Sequence, residues 1–416
     1  MTTLVLHRGS LRANPYERWL ADHGEKIVLL GSAEQLALFG EELPTGAPYL
    51  HAEVLTDYDT GPHVERRAAE LVEEFGVTDI VACQEFDILR AAALRERFGL
   101  PGQRPGSALV YRDKWEMKKL ATAAGIPVAA HVLLRSAAEL DAFADVHGLP
   151  VVVKPRQGLL SVGVSVLRTR EELADWARDA ELLRPDGEPE WLAETFVEGS
   201  MCHIDGTVLD GRIATMWPSQ YQYALADFRD RKGRVDIALD TADPLARRLV
   251  AFGERILEAF GGPEHFAFHI EVFHTTDGEL VLCEAASRAG GAGVRDVQRA
   301  LFGFDPMEYP VRRQLGLPAP VGERADPAQL AGQLLFTKRP GVLAALPDPA
   351  TLPEGVVKYT TYAEVGDTVL DASHSGDFLA AFVITGADRA ETEARIRAAE
   401  AWFKAGIWFK AEPRDS

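Results

Sequence analysis

The chain has 416 residues, with 44 Lys and Arg against 63 Asp and Glu, a formal net charge of −19. At about 150 residues per domain this length accommodates two or three domains, and 47% apolar with 26% charged residues excludes disorder over most of it. The acidic balance excludes electrostatic docking along a nucleic-acid backbone, which needs Lys and Arg to neutralise phosphates.

Cys83, Cys202 and Cys283 stand far apart, make no disulfide framework and suit a reducing compartment. The N-terminus lacks the basic-then-apolar pattern of a signal peptide, and no run reaches the ~18 apolar residues of a membrane span. A soluble, cytoplasmic protein without a membrane partner is the expectation.

In chain order, residues 3–6 are a short apolar run, and 15–23 read as a helix stopped at Gly24. Residues 26–30 are a second buried strand, 63–75 carry a helical period ending near Gly76, and 78–83 are another strand. Continuous apolar strands alternating with helices predict a parallel α/β layer. The segment His7-Arg8-Gly9-Ser10 offers no G-x-G-x-x-G, which excludes a dinucleotide-binding fold. A glycine- and proline-bearing stretch at 102–106 marks a boundary. A helix is expected over 112–124, strands at 131–134 and 151–154, and a helix over 139–147. Residues 184–190 are a polar break, followed by strands and hairpins to about 290 and a helix near 294–301. Proline at 317–327 marks another boundary, beyond which lie strands at 357–362 and 379–385 and a final helix over 389–403.

The most informative segment runs from His269 to Arg288. Asp277-Gly278 between apolar-rich runs is a hairpin signal, and strands paired symmetrically about it set Glu271 directly opposite Glu284. Facing side chains have Cβ atoms roughly 4.5–5.5 Å apart, and like charges that close destabilise unless a cation lies between them. Ile270, Val272, Val281 and Cys283 then face a core, while Phe273 and Leu282 join the carboxylate face. Oxygen ligands suit Mg²⁺ or Mn²⁺. His269 on the same face would suit zinc, but three ligands without a cysteine make zinc the weaker choice.

A second segment, Val153-Lys154-Pro155-Arg156-Gln157-Gly158 with Ser161 and Gly163 beyond, is a buried strand ending in lysine, then a glycine-bearing loop. Such a loop lets backbone N–H groups approach phosphate oxygens; a plain hairpin reads the same way. Lys114 after Arg112-Asp113 is, alone, a solvated helix lysine. Glu194-Thr195-Phe196-Val197-Glu198-Gly199 is a strand leaving into a turn, able to offer backbone groups to an adenine edge. Trp217 to Tyr223 could line an acceptor pocket or pack inside. Arg295-Asp296 after the glycines at 290–293 could hold a substrate carboxylate and amine, or serve as helix-capping charges.

Together these motifs resemble the ATP-grasp superfamily of carboxylate–amine ligases over roughly residues 110–310. The resemblance implies α/β and α+β architecture: an ATP-grasp fold with an N-terminal parallel α/β domain at 1–108, a small subdomain at 109–190, a large subdomain at 191–325 and a C-terminal α+β cap at 326–416. It implies that Lys114 and Lys154 contact ATP phosphates and that the loop bearing Gly158, Ser161 and Gly163 closes over them. Glu194 and the Phe196–Val197 backbone would meet adenine, Glu271 and Glu284 would hold Mg²⁺, and Arg288 would face the transferred phosphate or acyl phosphate. Two positions depart from the pattern. Met201 replaces a ribose-binding glutamate, leaving His203 or Asp205 for that contact, and Ala286 replaces an asparagine that completes the metal site.

The implied activity is ATP-dependent activation of a small carboxylate, an amino acid, as an acyl phosphate that an amine attacks, with Lys154 and Arg288 as the residues at the chemistry. The alternatives are a phosphotransferase, or a ligase using a thiol or hydroxyl acceptor. A non-catalytic nucleotide-binding scaffold has little need for the lysines, paired glutamates and Arg288 together. The resemblance also implies small-molecule partners and a homodimer.

Overall fold

The computed structural model describes residues 1–24, 26–180, 187–222, 234–319, 322, 324, 326–373 and 376–410. The polar break at 184–190 and the proline patch at 317–327 lie partly outside them, as does Tyr223.

The chain opens with β1 (Thr2–His7), α1 (Tyr16–Trp19), β2 (Ile27–Ser32), α2 (Ala33–Phe39), β3 (Tyr49–Leu55), α3 (Pro62–Phe75), β4 (Val77–Ala82) and α4 (Asp87–Phe98). The strands form a wholly parallel sheet in the order β3-β2-β1-β4. Leu4, Leu6, Val28 and Leu30 face one hydrophobic layer, while Val5, Ile27 and Leu29 face another with Tyr16 and Trp19. Burial on both faces is why these strands read as unbroken apolar runs. The helix expected over 15–23 is shorter: it ends at Trp19, and a 3₁₀ turn spans Ala21–His23.

Next come α5 (Pro105–Val110) and α6 (Lys114–Ala123). Asp113 caps α6 by accepting from the backbone N–H of Trp115 and Glu116, so the helix starts at Lys114 rather than 112. The small sheet then holds β5 (His131–Leu134), α7 (Ala137–His147), β6 (Val151–Pro155), β7 (Ser165–Leu167), α8 (Arg170–Asp179) and β8 (Trp191–Thr195). Its strand order is β5-β8-β6-β7, every pair antiparallel. β8 therefore completes the small sheet, so the boundary expected at 190 falls beyond residue 195.

The large sheet begins with β9 (Gly199–Leu209), β10 (Arg212–Tyr221) and β11 (Arg234–Ala238). Where only strands and hairpins were expected, a long helix, α9 (Pro244–Phe260), intervenes. Asp243 caps it, Pro244 takes its first turn, and Leu249, Phe252, Ile256 and Phe260 repeat at helical spacing into the main core. Then follow β12 (Phe266–Thr275), β13 (Leu280–Ala286), α10 (Val294–Phe302), α11 (Glu308–Gln314), β14 (Leu330–Thr337), β15 (Gly341–Ala345), β16 (Val356–Thr361), β17 (Thr368–Val369), β18 (Phe378–Gly386), α12 (Arg389–Gly406) and β19 (Trp408–Lys410). Eight of these strands form one sheet, β13-β12-β9-β10-β11-β14-β18-β16. The residues expected to form a separate cap thus supply three strands of the sheet that carries the paired glutamates; only β17-β15-β19 stand apart as a small sheet. α11 reaches back, packing Val311, with Leu315 just past its end, against the N-terminal layer.

Candidate active site

The β12–β13 hairpin places Glu271 opposite Glu284, as its sequence predicts. The route there differs. Thr275 N–H donates to Glu279 O at 3.0 Å, closing a three-residue loop in which Gly278 adopts φ +89°. Near the turn Val272 pairs with Leu282, and a bulge at Cys283 restores the Glu271–Glu284 rung. That extra residue turns Leu282 into the core beside Ile270 and Val272, correcting its expected place on the carboxylate face. Val281, expected in the core, is only partly buried.

Lys114, the first residue of α6, is buried. Its Nζ lies 3.1 Å from Glu284 Oε2 and donates to Gly158 O at 2.8 Å. A single ammonium thus joins the paired glutamates to the glycine-bearing loop. Lys154 near the end of β6 lies with Nζ 2.8 Å from Glu194 Oε1. Lys118, four residues beyond Lys114, is fully buried and stands 3.3 Å from the same oxygen. Burial opposes the charge on all three groups of this triad. For Lys154 the Glu194 carboxylate outweighs that cost and raises the pKa. For Lys118 burial prevails and the pKa falls. Glu194 itself is held below the usual carboxylate range by both lysines against its own burial. Its carboxylate, expected at adenine, is engaged as their counter-ion.

Beyond it Phe196 is exposed, and its N–H donates to Pro150 O at 3.3 Å. In the facing loop Leu160 and Ser161 adopt φ 55° and 59°, and Gly163 φ 77°. A Cβ at Gly163 would stand 2.9 Å from Pro155 Cγ, so glycine lets the loop fold over the end of β6. Leu160 and Val162 at its tip are exposed.

The polar face continues along the sheet. His269 and Asp205 pair on neighbouring strands, as do Glu271 and His203. Asp205 Oδ1 accepts from His269 Nδ1 at 2.8 Å, and its Oδ2 meets His203 Nδ1. His203 Nε2 lies 3.4 Å from Asp236 Oδ1. Burial alone would depress His203, but Asp205 and Asp236 push its pKa up to about 10. Fully buried between two carboxylates, His203 turns no edge outward for the ribose contact expected of it. His203, Asp205 and His269 are grouped closely enough to surround an ion, yet His203 is held protonated and its Nε2 faces Asp236 while His269 Nε2 stands 3.6 Å from Glu271, so the rings serve the carboxylates as counter-ions.

On the glutamate rung, Arg234 Nη2 donates to Tyr221 Oη at 2.8 Å, and Tyr221 Oη donates to Glu271 Oε1 at 3.5 Å. The donors facing each other across the rung are carboxylate oxygens, a set that fits a hard divalent cation. Burial would raise the Glu271 pKa, and His269 with Arg234 holds it low, keeping the side chain anionic.

Arg288 donates from Nε to Glu85 Oε2 and from Nη1 to Ala289 O at 2.9 Å. Glu85, just after β4, also accepts from Arg112 Nη1 at 2.8 Å. Arg295, considered for substrate, instead donates to Asp305 beyond the end of α10 at 2.8 Å and ties α10 to the N-terminal layer through Asn14 at 2.8 Å. Trp217 is buried and donates to Leu239 O at 2.8 Å, a packing role.

Lys118 and Glu85 were not singled out in the sequence. The four-residue spacing from Lys114 puts Lys118 on the same helix face. Glu85 follows the carboxyl end of a parallel strand, where open α/β sheets gather ligands.

A parallel N-terminal layer, a small antiparallel sheet with a lysine and glycine-bearing loop, and a large sheet with paired glutamates make up the ATP-grasp fold. Residues 333–404 match the family model described as L-amino acid ligase C-terminal domain 2. The L-arginine-specific L-amino acid ligase of Bacillus subtilis is 28% identical over 226 residues, 52% of each chain, so the match spans about half the length of that relative. The alanine–anticapsin ligase of Bacillus subtilis is 24% identical over 379 residues, 79% of this chain and 78% of that one. The crystal structure of an L-amino acid ligase from Bacillus licheniformis superposes with a TM-score of 0.75 at 18% identity, over 99% of both chains.

Proposed function

We propose that the chain is an ATP-dependent ligase that activates the carboxylate of an amino acid as an acyl phosphate and joins it to an amine, releasing ADP and phosphate. The observation that carries this reading is the Glu271–Glu284 rung linked through Lys114 to the Gly158 loop. The names of the two Bacillus subtilis relatives support an amino acid as substrate.

A carboxylate resists nucleophiles because it is an anion. In the proposed reaction its oxygen attacks the γ-phosphorus of ATP, and the bond to the ADP oxygen breaks. The amine then attacks the carbonyl carbon, the C–O bond to phosphate breaks, and the amine loses a proton. Phosphoryl transfer asks a protein mainly for positioning and charge neutralisation. Lys114 and Lys154 neutralise the phosphates. Glu271 and Glu284 would hold Mg²⁺, which when bound would supply further neutralisation of phosphate charge. Arg288 stands by the acyl phosphate. The loop bearing Gly158, Ser161 and Gly163 excludes water, against which an acyl phosphate must be protected.

The test is incubation with ATP, Mg²⁺, an amino-acid panel and hydroxylamine. A hydroxamate is expected. A stable phosphorylated product without hydroxamate would refute ligation in favour of phosphotransfer. A cytoplasmic homodimer is part of the same reading, checked by sedimentation. Among the described residues no helix is long and apolar enough to cross a membrane.

A further inference from the structure

Arg288 is pulled in two directions. Glu284 and Glu271 attract its guanidinium from the cation rung, and Glu85 binds it from the N-terminal layer. Burial opposes the charge, and these three carboxylates together outweigh that cost. Glu85 is itself buried, and each of its oxygens takes one arginine: Oε1 accepts from Arg112 and Oε2 from Arg288. Arg112 is fixed in turn by Gln157 O at 3.3 Å, at the start of the glycine-bearing loop. The neighbouring Ser287 Oγ donates to Gln103 Oε1 at 3.2 Å, a second tie from the same segment to the region after the N-terminal layer.

We propose that Glu85 is a positioning residue that holds Arg288 away from Glu271 and Glu284, keeping those carboxylates open to the cation and the guanidinium open to phosphate. Without this anchor a partly buried guanidinium has Glu271 and Glu284 within its field and, among the described carboxylates acting on it, no competitor. It would pair with them, and a divalent ion would have to displace it. The N-terminal layer then contributes to the chemistry through one carboxylate, although it supplies none of the groups assigned to phosphate or cation. The role of Arg288 rests on the ligase reading; the competition for the cation rung does not.

The experiment is a double-mutant cycle read by calorimetry of MgADP binding to the full chain, with Glu85→Gln, Arg288→Gln and the double variant. Glu85→Gln keeps the size of the side chain and removes its charge. It is expected to weaken MgADP binding by about 10-fold, the lower end for loss of a residue that orients a metal site, and to leave binding of ADP without Mg²⁺ within about threefold. In the Arg288→Gln background the same change should cost less than about threefold, because the side chain through which Glu85 acts is gone. A cost that persists in full in that background, or that is equal with and without Mg²⁺, would assign Glu85 a merely structural role and overturn the proposal. So would wild-type affinity in Glu85→Gln. If Glu85→Gln melts well below the wild type, Glu85→Asp, which keeps the charge and loses reach to both arginines, is read in the same cycle against the same limits. Hydroxamate formation by the wild type is scored separately. Its absence with an intact cycle would remove the ligase reading and leave the positioning role standing; its presence with an additive cycle would do the reverse.

Discussion

Replacing Lys118 by methionine is expected to leave the fold as stable as before or more so, whereas Glu194→Gln should damage it. Lys118 Nζ lies 3.3 Å from Glu194 Oε1 and Lys154 Nζ lies 2.8 Å from it. At an effective dielectric of about 20 these separations correspond to gross attractions of about 5 and about 6 kcal/mol. Both are opposed by burial, and for Lys118 burial wins, since its pKa falls. Burial thus opposes the Lys118 charge more than Glu194 supports it, and Lys118→Met removes that cost. Glu194 keeps Lys154, so no uncompensated carboxylate remains, and the triad passes from a net +1 to neutral. Exchanging a buried charge for a well-packed apolar side chain in this way is expected to change stability by about 0 to +2 kcal/mol. Glu194→Gln instead leaves two buried ammonium groups facing each other, for which about 3–5 kcal/mol is lost. Urea unfolding of both variants, followed by circular dichroism, orders them. The wild type should also gain stability as pH rises from neutral toward the ordinary lysine range, since the unfolded chain holds that proton longer, and Lys118→Met should lack this gain. A loss of 3 kcal/mol or more in Lys118→Met, or a smaller loss in Glu194→Gln than in Lys118→Met, would refute the reasoning.

Lys154→Ala is expected to abolish ADP formation while Glu194 remains paired with Lys118; near-normal turnover by a coupled ADP assay would sink the assignment of Lys154 to phosphate. Glu271→Gln and Glu284→Gln should each raise the Mg²⁺ concentration needed for half-maximal rate by at least about 10-fold, measured by Mg²⁺ titration at fixed ATP. His7 gives a pH dependence of the same origin and sign as Lys118 in a more acid window. Its Nε2 donates to Gly9 O at 3.0 Å and its Nδ1 accepts from Tyr16 Oη at 3.1 Å, a neutral imidazole with both nitrogens used. Burial lowers its pKa to about 4. Its contribution is therefore whole above the unfolded value of about 6.5 and is lost as pH falls toward 4. At pH 5 the loss is about 2 kcal/mol, read by Trp19 fluorescence during urea unfolding and absent in His7→Gln.

The parts of the site legible in the sequence are those set by local rules. Asp277-Gly278 fixes a hairpin, and alternation then puts Glu271 across from Glu284. The bulge at Cys283 was not legible, because a three-residue turn and a compensating extra residue give the same rung as a two-residue turn without one. Lys154 and the glycines of its loop were legible as a lysine-ended strand and a turn. Glu85 was not, since its meaning comes from two arginines distant in sequence, Arg112 and Arg288. His203 looked like a polar strand residue available to a ligand. Asp205 is in reach of sequence reasoning, two residues along the same strand, but Asp236 comes from another strand, and together they enclose the ring. The long α9 was lost among strand signals although Asp243-Pro244 marks its start.

The strand β11 joins the ATP-grasp strands to the C-terminal ones, with β10 on one side and β14 on the other. Asp236 on β11 also accepts from Gln333 Nε2 of β14 at 2.6 Å. A shortened gene ending near residue 325 would therefore bare a row of backbone donors and acceptors along an apolar strand carrying Val235 and Ile237, together with a carboxylate stripped of its amide. Such a rim invites pairing between molecules. The last ninety residues are thus a condition of solubility for those before them, and swapping C-terminal portions between relatives would require a matching strand edge as well as a matching pocket.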